Sequence, residues 1–301
     1  MNAKEVVLRA REKGIVIPAI NVPYVPMMKA IVEAVADENS VAMIEVARVE
    51  WEKFKAESLE VIAEEYGKCG DSAHTLLHLD HIPVIDEDNE RVDYTAYIKR
   101  AIAAGYQSVM VDGSRLPLDE NINAAAEVAA LAHDAGIPCE AELGAVMGHE
   151  SGPMPPYEEI FASKKGFTSI SEAERFVKES GVDWLSIAAG NIHGAVALAT
   201  RHEKKPEARL DIGHIEALYE ATKVPLVLHG GSGIKIEFIR DAIVAGITKI
   251  NIGTEVRQAY EGALAGREGD IEFARQRVYE MVRKTISESL LVTNSKELLN
   301  V

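Results

Sequence analysis

Short apolar runs alternate with amphipathic stretches along the whole chain. The runs at 15–22, 41–47, 75–81, 108–113, 138–145, 184–191, 225–230 and 249–253 are rich in Val, Ile and Leu. Largely continuous hydrophobicity of this kind predicts strands covered on both faces, the habit of parallel sheets. Between them, 27–37, 94–104, 122–135, 171–180, 215–222 and 236–245 carry apolar residues at helical spacing. Gly105, Gly136, Gly181 and Gly246 follow helical patterns, where a left-handed residue closes the last turn. Strand–helix units repeated in this way predict a (β/α)8 TIM barrel, with a doubly wound open sheet as the competing topology.

Two helices frame the repeat. Residues 1–8 open an amphipathic helix, and a charged amphipathic helix spans about 270–290, with Ile271, Phe273, Val278, Met281, Val282 and Ile286 as its apolar positions. That last helix either packs on the barrel or joins copies of the chain. No linker or shift of composition divides residues 1–301, which predicts a single barrel domain. Segment 146–170 contains Gly148, Gly152, Pro153, Pro155 and Pro156, and its length predicts a lid-type loop rather than a tight turn.

Charge narrows the partners. Lys and Arg number 32 against 48 Asp and Glu, a net charge of −16, which argues against nucleic acid. No apolar run approaches the roughly 20 residues that span a bilayer, and the first residues lack a signal-peptide core. Cys69 and Cys139 cannot build a disulfide framework. The expectation is a cytoplasmic protein that binds neither membrane nor nucleic acid.

In a barrel, the side chains that do chemistry gather at the C-terminal ends of the strands. There the sequence places Asn21, Asp80 and His81, Asp112 with Ser114, Glu142, His193, His229, and Asn251 with Thr254. Three histidines on three different strands, with a carboxylate beside them, suit Zn²⁺ with an open coordination position. His81, His193 and His229 are the candidate ligands, and Glu142 is an outer or alternating one. In an unbroken strand, His78 and Asp80 share a face and His81 points the other way, so His78 is expected beside the site or in the core. The turn His229-Gly230-Gly231-Ser232-Gly233 precedes a helix, and its backbone N–H groups make an anion nest. It matches neither the Walker A nor the dinucleotide pattern. A metal beside such a nest can polarise a ketone and stabilise an enediolate, while carboxylates move protons.

These residues resemble the class II, zinc-dependent ketose-bisphosphate aldolases, which include fructose-1,6-bisphosphate and tagatose-1,6-bisphosphate aldolases. The blocks that carry the likeness follow in order: 18–22, 78–81, 108–114, 140–144, 189–194, 229–233 and 249–254. The resemblance implies that His81, His193 and His229 hold zinc or another divalent ion, with Glu142 touching the metal in some members. It implies that Asp80 is the acid/base for the hydroxyl beside the cleaved bond. Glu150 is the loop group that exchanges the C–H proton of dihydroxyacetone phosphate, and Asn251 helps hold the enediolate. Gly194, Gly230, Ser232 and Thr254 match the phosphate cradle, and Asn21, Gly231 and Gly253 complete the expected substrate surface. The family pattern adds a monovalent cation, Na⁺ or K⁺, at the cradle, and assembly as a homodimer or homotetramer.

Several positions depart from the family pattern. Ile82 stands for a common Gly, Glu45-Val46-Ala47 for a Gln-x-Ser stretch, Ala197 for a Lys, and Gly253 for the Asp of the fructose type. Arg48, Arg115, Lys164, Lys165, Arg275 and Arg277 are candidates to replace a lost phosphate contact. The expected activity is reversible cleavage of a ketose 1,6-bisphosphate, fructose-1,6-bisphosphate first, to dihydroxyacetone phosphate and an aldehyde. Tagatose-1,6-bisphosphate or another ketose (mono)phosphate is the alternative substrate. A zinc-dependent barrel hydrolase fits less well, because no His-x-His follows strand one and no Asp follows strand eight. A non-catalytic sugar-phosphate sensor would not be expected to keep Asp80 and Glu150.

Overall fold

The structure is a computed structural model that describes residues 1–146, 156–192, 208–232, 234–267 and 269–301. Its strands are β1 (Ile17–Asn21), β2 (Ala42–Ala47), β3 (Thr75–Pro83), β4 (Ser108–Asp112), β5 (Cys139–Leu143), β6 (Trp184–Ile187), β7 (Leu226–Leu228) and β8 (Ile247–Ile252). They pair in parallel in chain order, and β8 closes on β1. This is the (β/α)8 barrel; the open sheet is excluded by the β1–β8 pairing.

Helices cover the outer face as the periodicity predicts, and Tyr94–Ala104 and Ile236–Ala245 fall on the expected residues. Helices at Arg48–Lys53, Leu59–Cys69, Tyr157–Ser163, Thr254–Gly266 and Ser295–Leu299 fill stretches the periodicity leaves open. The expected lid segment is therefore partly helical: Pro156 caps Tyr157–Ser163, and the Tyr157 hydroxyl donates to the Gly190 carbonyl at 3.0 Å. Residues 147–155 of that segment lie outside the described residues. The terminal helix is shorter than expected, Ile271–Lys284, followed by a wider turn at Thr285–Leu290. It buries Ala274, Val278 and Val282 against the helices Met28–Asp37 and Thr254–Gly266, whereas Ile271 is exposed.

Side chains inside the barrel follow the two-residue period of the strands in layers. At the bottom, Ile17, Met43, Leu76, Trp184 and Val227 pack with Val6, Val7 and Ala10 of the helix Ala3–Lys13, which plugs this end. One step up, the inward positions turn polar: Glu45, His78, Glu140 and Lys249, all fully buried. Another step up lie Asn21, Asp80, Glu142 and Asn251. Register ties the layers together, with Met43 opposite Leu76, Glu45 opposite His78 and Ala47 opposite Asp80. None of the described helices is long and apolar enough to cross a membrane.

Candidate active site

The mouth is organised by a break in β3. Its register with β4 shifts between Leu79 and Ile82, and His81 has φ of +23°. An extra residue at a bulge re-aims the following side chain. Asp80 and His81, which would face opposite ways in a regular strand, therefore both reach the mouth. A positive φ at a non-glycine residue is strained, and such strain is tolerated where the surroundings hold it. Here Asp112 Oδ2 receives His81 Nδ1 at 3.1 Å, and Asp112 is itself fixed by the Ser114 N–H at 2.9 Å.

His229 is held in the same manner. Its Nε2 lies 2.9 Å from Glu140 Oε1, and its Nδ1 lies 2.5 Å from His81 Nε2. Glu142 Oε2 completes the cluster at 3.4 Å from His229 Nδ1 and 3.9 Å from His81 Nε2, steadied by the Ser186 hydroxyl at 3.0 Å. Two imidazoles each backed by a carboxylate, with their other nitrogens converging, form the donor arrangement of a divalent-metal site. His81, Asp112 and Glu142 can gather around an ion, as can Asp80, His81 and His229.

Asp80 sits at 2% exposure between two amides. Asn21 Nδ2 donates to one carboxylate oxygen and Asn251 Nδ2 to the other, each at 3.0 Å. Burial opposes its charge, but the histidines and Lys249 outweigh that cost and hold its carboxyl below the usual range. Burial likewise disfavours the charge on His81, yet Asp80, Asp112 and Glu142 push its pKa well above normal. Burial and the neighbouring His81 drive His229 well below. Glu142 rises to about 8 through burial and the nearby Asp112. The site thus joins an ionised carboxylate, a cation-seeking cluster and one protonatable carboxyl in largely buried surroundings.

Next to the cluster, β7 leads into Gly230, with φ of +65°, and then Gly231, whose N–H donates to the Asn251 carbonyl at 2.9 Å. A Cβ on Gly231 would lie 2.5 Å from Ile250 Cγ1, so only glycine fits. Buried Ser232 follows, and on the adjoining strand Gly253 and Thr254 open the helix Thr254–Gly266 at the same rim. A glycine-rich turn beside a helix N-terminus favours an anion. His193, Gly194 and Glu150, together with Ala197 and Gly233, lie outside the described residues.

His78 is in the core, as expected, with Nδ1 on the Ser108 hydroxyl at 2.8 Å. Unpredicted contributors are Glu140, Lys249 and Ser186, and the support that Asp112 gives His81. Their signal was the period-two spacing of polar residues in apolar strands, Glu140 with Glu142 and Lys249 with Asn251. On the β2 side, Glu50 caps Ala47 N–H at 2.8 Å, and burial beside Asp80 pushes its carboxyl up to about 8. Most candidate replacement cations are already engaged. Arg48 pairs with the Asp86 carboxylate at 3.2 Å, Arg115 donates to the Asp86 backbone carbonyl at 2.7 Å, Lys164 pairs with Asp211 at 2.7 Å, Arg275 binds the Pro26 carbonyl at 2.9 Å, and Arg277 pairs with Glu280.

A family model described as fructose-bisphosphate aldolase class-II matches residues 1–297. Among solved structures, the chain is similar to the YdjI aldolase from Escherichia coli K12, at 26% identity, TM-score 0.74 and 97% coverage of both chains. A Coccidioides immitis protein provisionally described as a fructose-1,6-biphosphate aldolase aligns at 27% identity and TM-score 0.77, covering 98% of both. The fructose-bisphosphate aldolase of Campylobacter jejuni, at 17% identity and TM-score 0.71 over 96% of this chain and 94% of that one, shares the fold.

Proposed function

Since the chain belongs to the class II fructose-bisphosphate aldolase family, we propose that it reversibly cleaves a ketose 1,6-bisphosphate, fructose-1,6-bisphosphate first, to dihydroxyacetone phosphate and an aldehyde. The observation that carries this reading is the joint placement of Asp80, His81 and His229, each oriented by its own hydrogen-bond partners.

In the cleavage direction, Asp80 accepts the proton of the hydroxyl beside the scissile C–C bond. Its depressed pKa and its two amide donors keep it ionised and aimed. The bond breaks, its electron pair passes to the carbon next to the ketone, and the aldehyde leaves. Glu150 returns a proton to that carbon, the role the family resemblance gives it. A divalent ion, zinc as first choice, held by His81, His229 and His193 with Glu142 in reserve, supplies Lewis-acid polarisation of the ketone when bound. The phosphate of the retained half would rest on Gly194, Gly230, Ser232 and Thr254, with Gly231, Gly253 and Asn21 lining the substrate and Na⁺ or K⁺ at the cradle. The proposal includes a cytoplasmic homodimer or homotetramer, which sedimentation of the purified protein tests.

A second reading differs only in substrate. Ala47 offers no hydroxyl, the buried Glu50 lies beside Asp80, and the Arg48 side chain is paired with the Asp86 carboxylate. These favour a ketose phosphate whose aldehyde half carries no second phosphate. Cleavage of fructose-1,6-bisphosphate, tagatose-1,6-bisphosphate and their monophosphates, with and without chelator and Zn²⁺, decides between them. Chelator-sensitive release of dihydroxyacetone phosphate from a bisphosphate supports the first reading, and release from monophosphates alone supports the second. Cleavage untouched by thorough chelation contradicts the metal-dependent mechanism.

A further inference from the structure

Lys249 is fully buried on β8, and its ammonium touches both halves of the site. Nζ donates to Asn251 Oδ1 at 2.7 Å. It also lies 3.1 Å from Glu140 Oε2 and 3.3 Å from Glu45 Oε2. An ammonium has protons to give and no lone pair. The Asn251 oxygen must therefore face Lys249, which turns the amide NH₂ toward Asp80 Oδ1 at 3.0 Å. An amide whose two ends are hard to tell apart is fixed here by chemistry.

The other contact works through Glu140. Its Oε2 receives the Trp184 indole N–H at 2.6 Å as well as the ammonium, and both are obligate donors. Oε1 is left to accept from His229 Nε2 at 2.9 Å. The proton of His229 then sits on Nε2, and the lone pair on Nδ1 points at His81 and Glu142.

We propose that Lys249 is the positioning residue that joins the two halves of the site, fixing the donor end of Asn251 toward Asp80 and, through Glu140, the metal-facing tautomer of His229. The inference rests on the metal-dependent aldolase reading. A purely structural role is the competing account, and the surroundings argue against it. The layer beneath is apolar, with Met43 and Leu76 filling the same inward positions on β2 and β3. A buried ion cluster is a poor substitute for such packing. Moreover, Glu45 is fully buried, and neither of its oxygens accepts a hydrogen bond, its ion pair with Lys249 at 3.3 Å aside. An arrangement so costly is better explained by the orientation it imposes than by the stability it gives.

The test compares wild type with Lys249→Met and with Lys249→Met/Glu45→Gln. The double variant replaces one of the two carboxyls left without a cation by a neutral amide. Circular dichroism establishes folding, competition with a chelator gives zinc affinity, steady-state cleavage of the ketose phosphate gives kcat and KM, and proton exchange of dihydroxyacetone phosphate by the wild type checks the aldolase reading. Loss of an outer partner of a ligand histidine predicts about 10–100-fold weaker zinc binding. Misorientation of Asn251 predicts a kcat about tenfold lower with KM little changed. A folded variant that melts earlier but keeps wild-type zinc affinity and kcat would overturn the proposal. Nitrogen-15 NMR of the zinc-loaded wild type needs no variant: the proton of His229 is expected on Nε2, and zinc on Nε2 overturns the proposal. A wild type that exchanges no proton would sink the aldolase reading instead, while the zinc affinities and the tautomer still decide the role of Lys249.

Discussion

His81 Nε2 and His229 Nδ1 face each other at 2.5 Å, and the remaining nitrogen of each ring rests on a carboxylate, Asp112 for one and Glu140 for the other. Two imidazole lone pairs approach so closely only around something positive. The opposite shifts of the pair, His81 well above its usual pKa and His229 well below, favour the proton on His81 over His229. In the proposed function a divalent ion would stand between these two nitrogens.

Zinc binding should therefore release a proton, and its affinity should depend on pH with a definite sign. Below the raised pKa of His81 the proton competes with the ion, so apparent affinity climbs with pH until that pKa is passed. Calorimetric titrations in two buffers of different ionisation enthalpy measure the release at neutral pH. Net proton release is expected, and heats independent of the buffer would contradict a protonated His81 in the metal-free site.

Asp112→Ala should loosen the metal without touching it. The variant frees His81 Nδ1 and removes the support of the strained backbone there. Zinc affinity is expected to fall by about 10–100-fold, measured by competition with a chelator. Undiminished affinity would mean that the bulge alone aims His81.

Asp80→Ala should separate chemistry from metal binding. Loss of a positioned acid/base costs roughly 10²–10⁴ in rate, while His81, His229 and their carboxylates stay in place. Steady-state cleavage together with metal analysis of the purified variant checks both halves. Near-normal turnover would remove the role given to Asp80.

Much of this site is legible in the sequence. Asp80, His81, His229 and Asn251 lie at predicted strand ends, and strand-end position is what converges in a barrel. What the sequence cannot express is direction. Alternation along β3 sends His81 outward, and only the bulge between Leu79 and Ile82 brings it in. The inward layer of Glu45, Glu140 and Lys249 looks polar and therefore unlike a barrel interior, although its charges compensate one another across the barrel. The helix Tyr157–Ser163 was hidden by the Pro and Gly residues around it, whose local preference for loops masks a short amphipathic turn.

Glu50→Gln gives a stability test on the β2 side. Burial pushes the Glu50 carboxyl up to about 8 from its ordinary value of 4.5. Between those two values the unfolded chain loses the proton while the folded one keeps it, so stability falls as pH rises through that window and levels off above it. Glutamine has no proton to lose. The melting temperature of the variant relative to wild type should therefore climb from pH 5 to about pH 8 and then stay constant. A difference independent of pH would show that Glu50 is ionised throughout.

The central claim, that a metal-dependent centre activates the carbon beside a ketone, is tested most directly by exchange of the C–H proton of dihydroxyacetone phosphate with solvent, followed by NMR in D₂O. Wild type with zinc should exchange that proton stereospecifically. Chelated enzyme and Glu150→Ala should lose the exchange, and zinc should restore it to the chelated enzyme alone. Exchange that persists without metal, or that is absent from zinc-loaded wild type, would contradict the account.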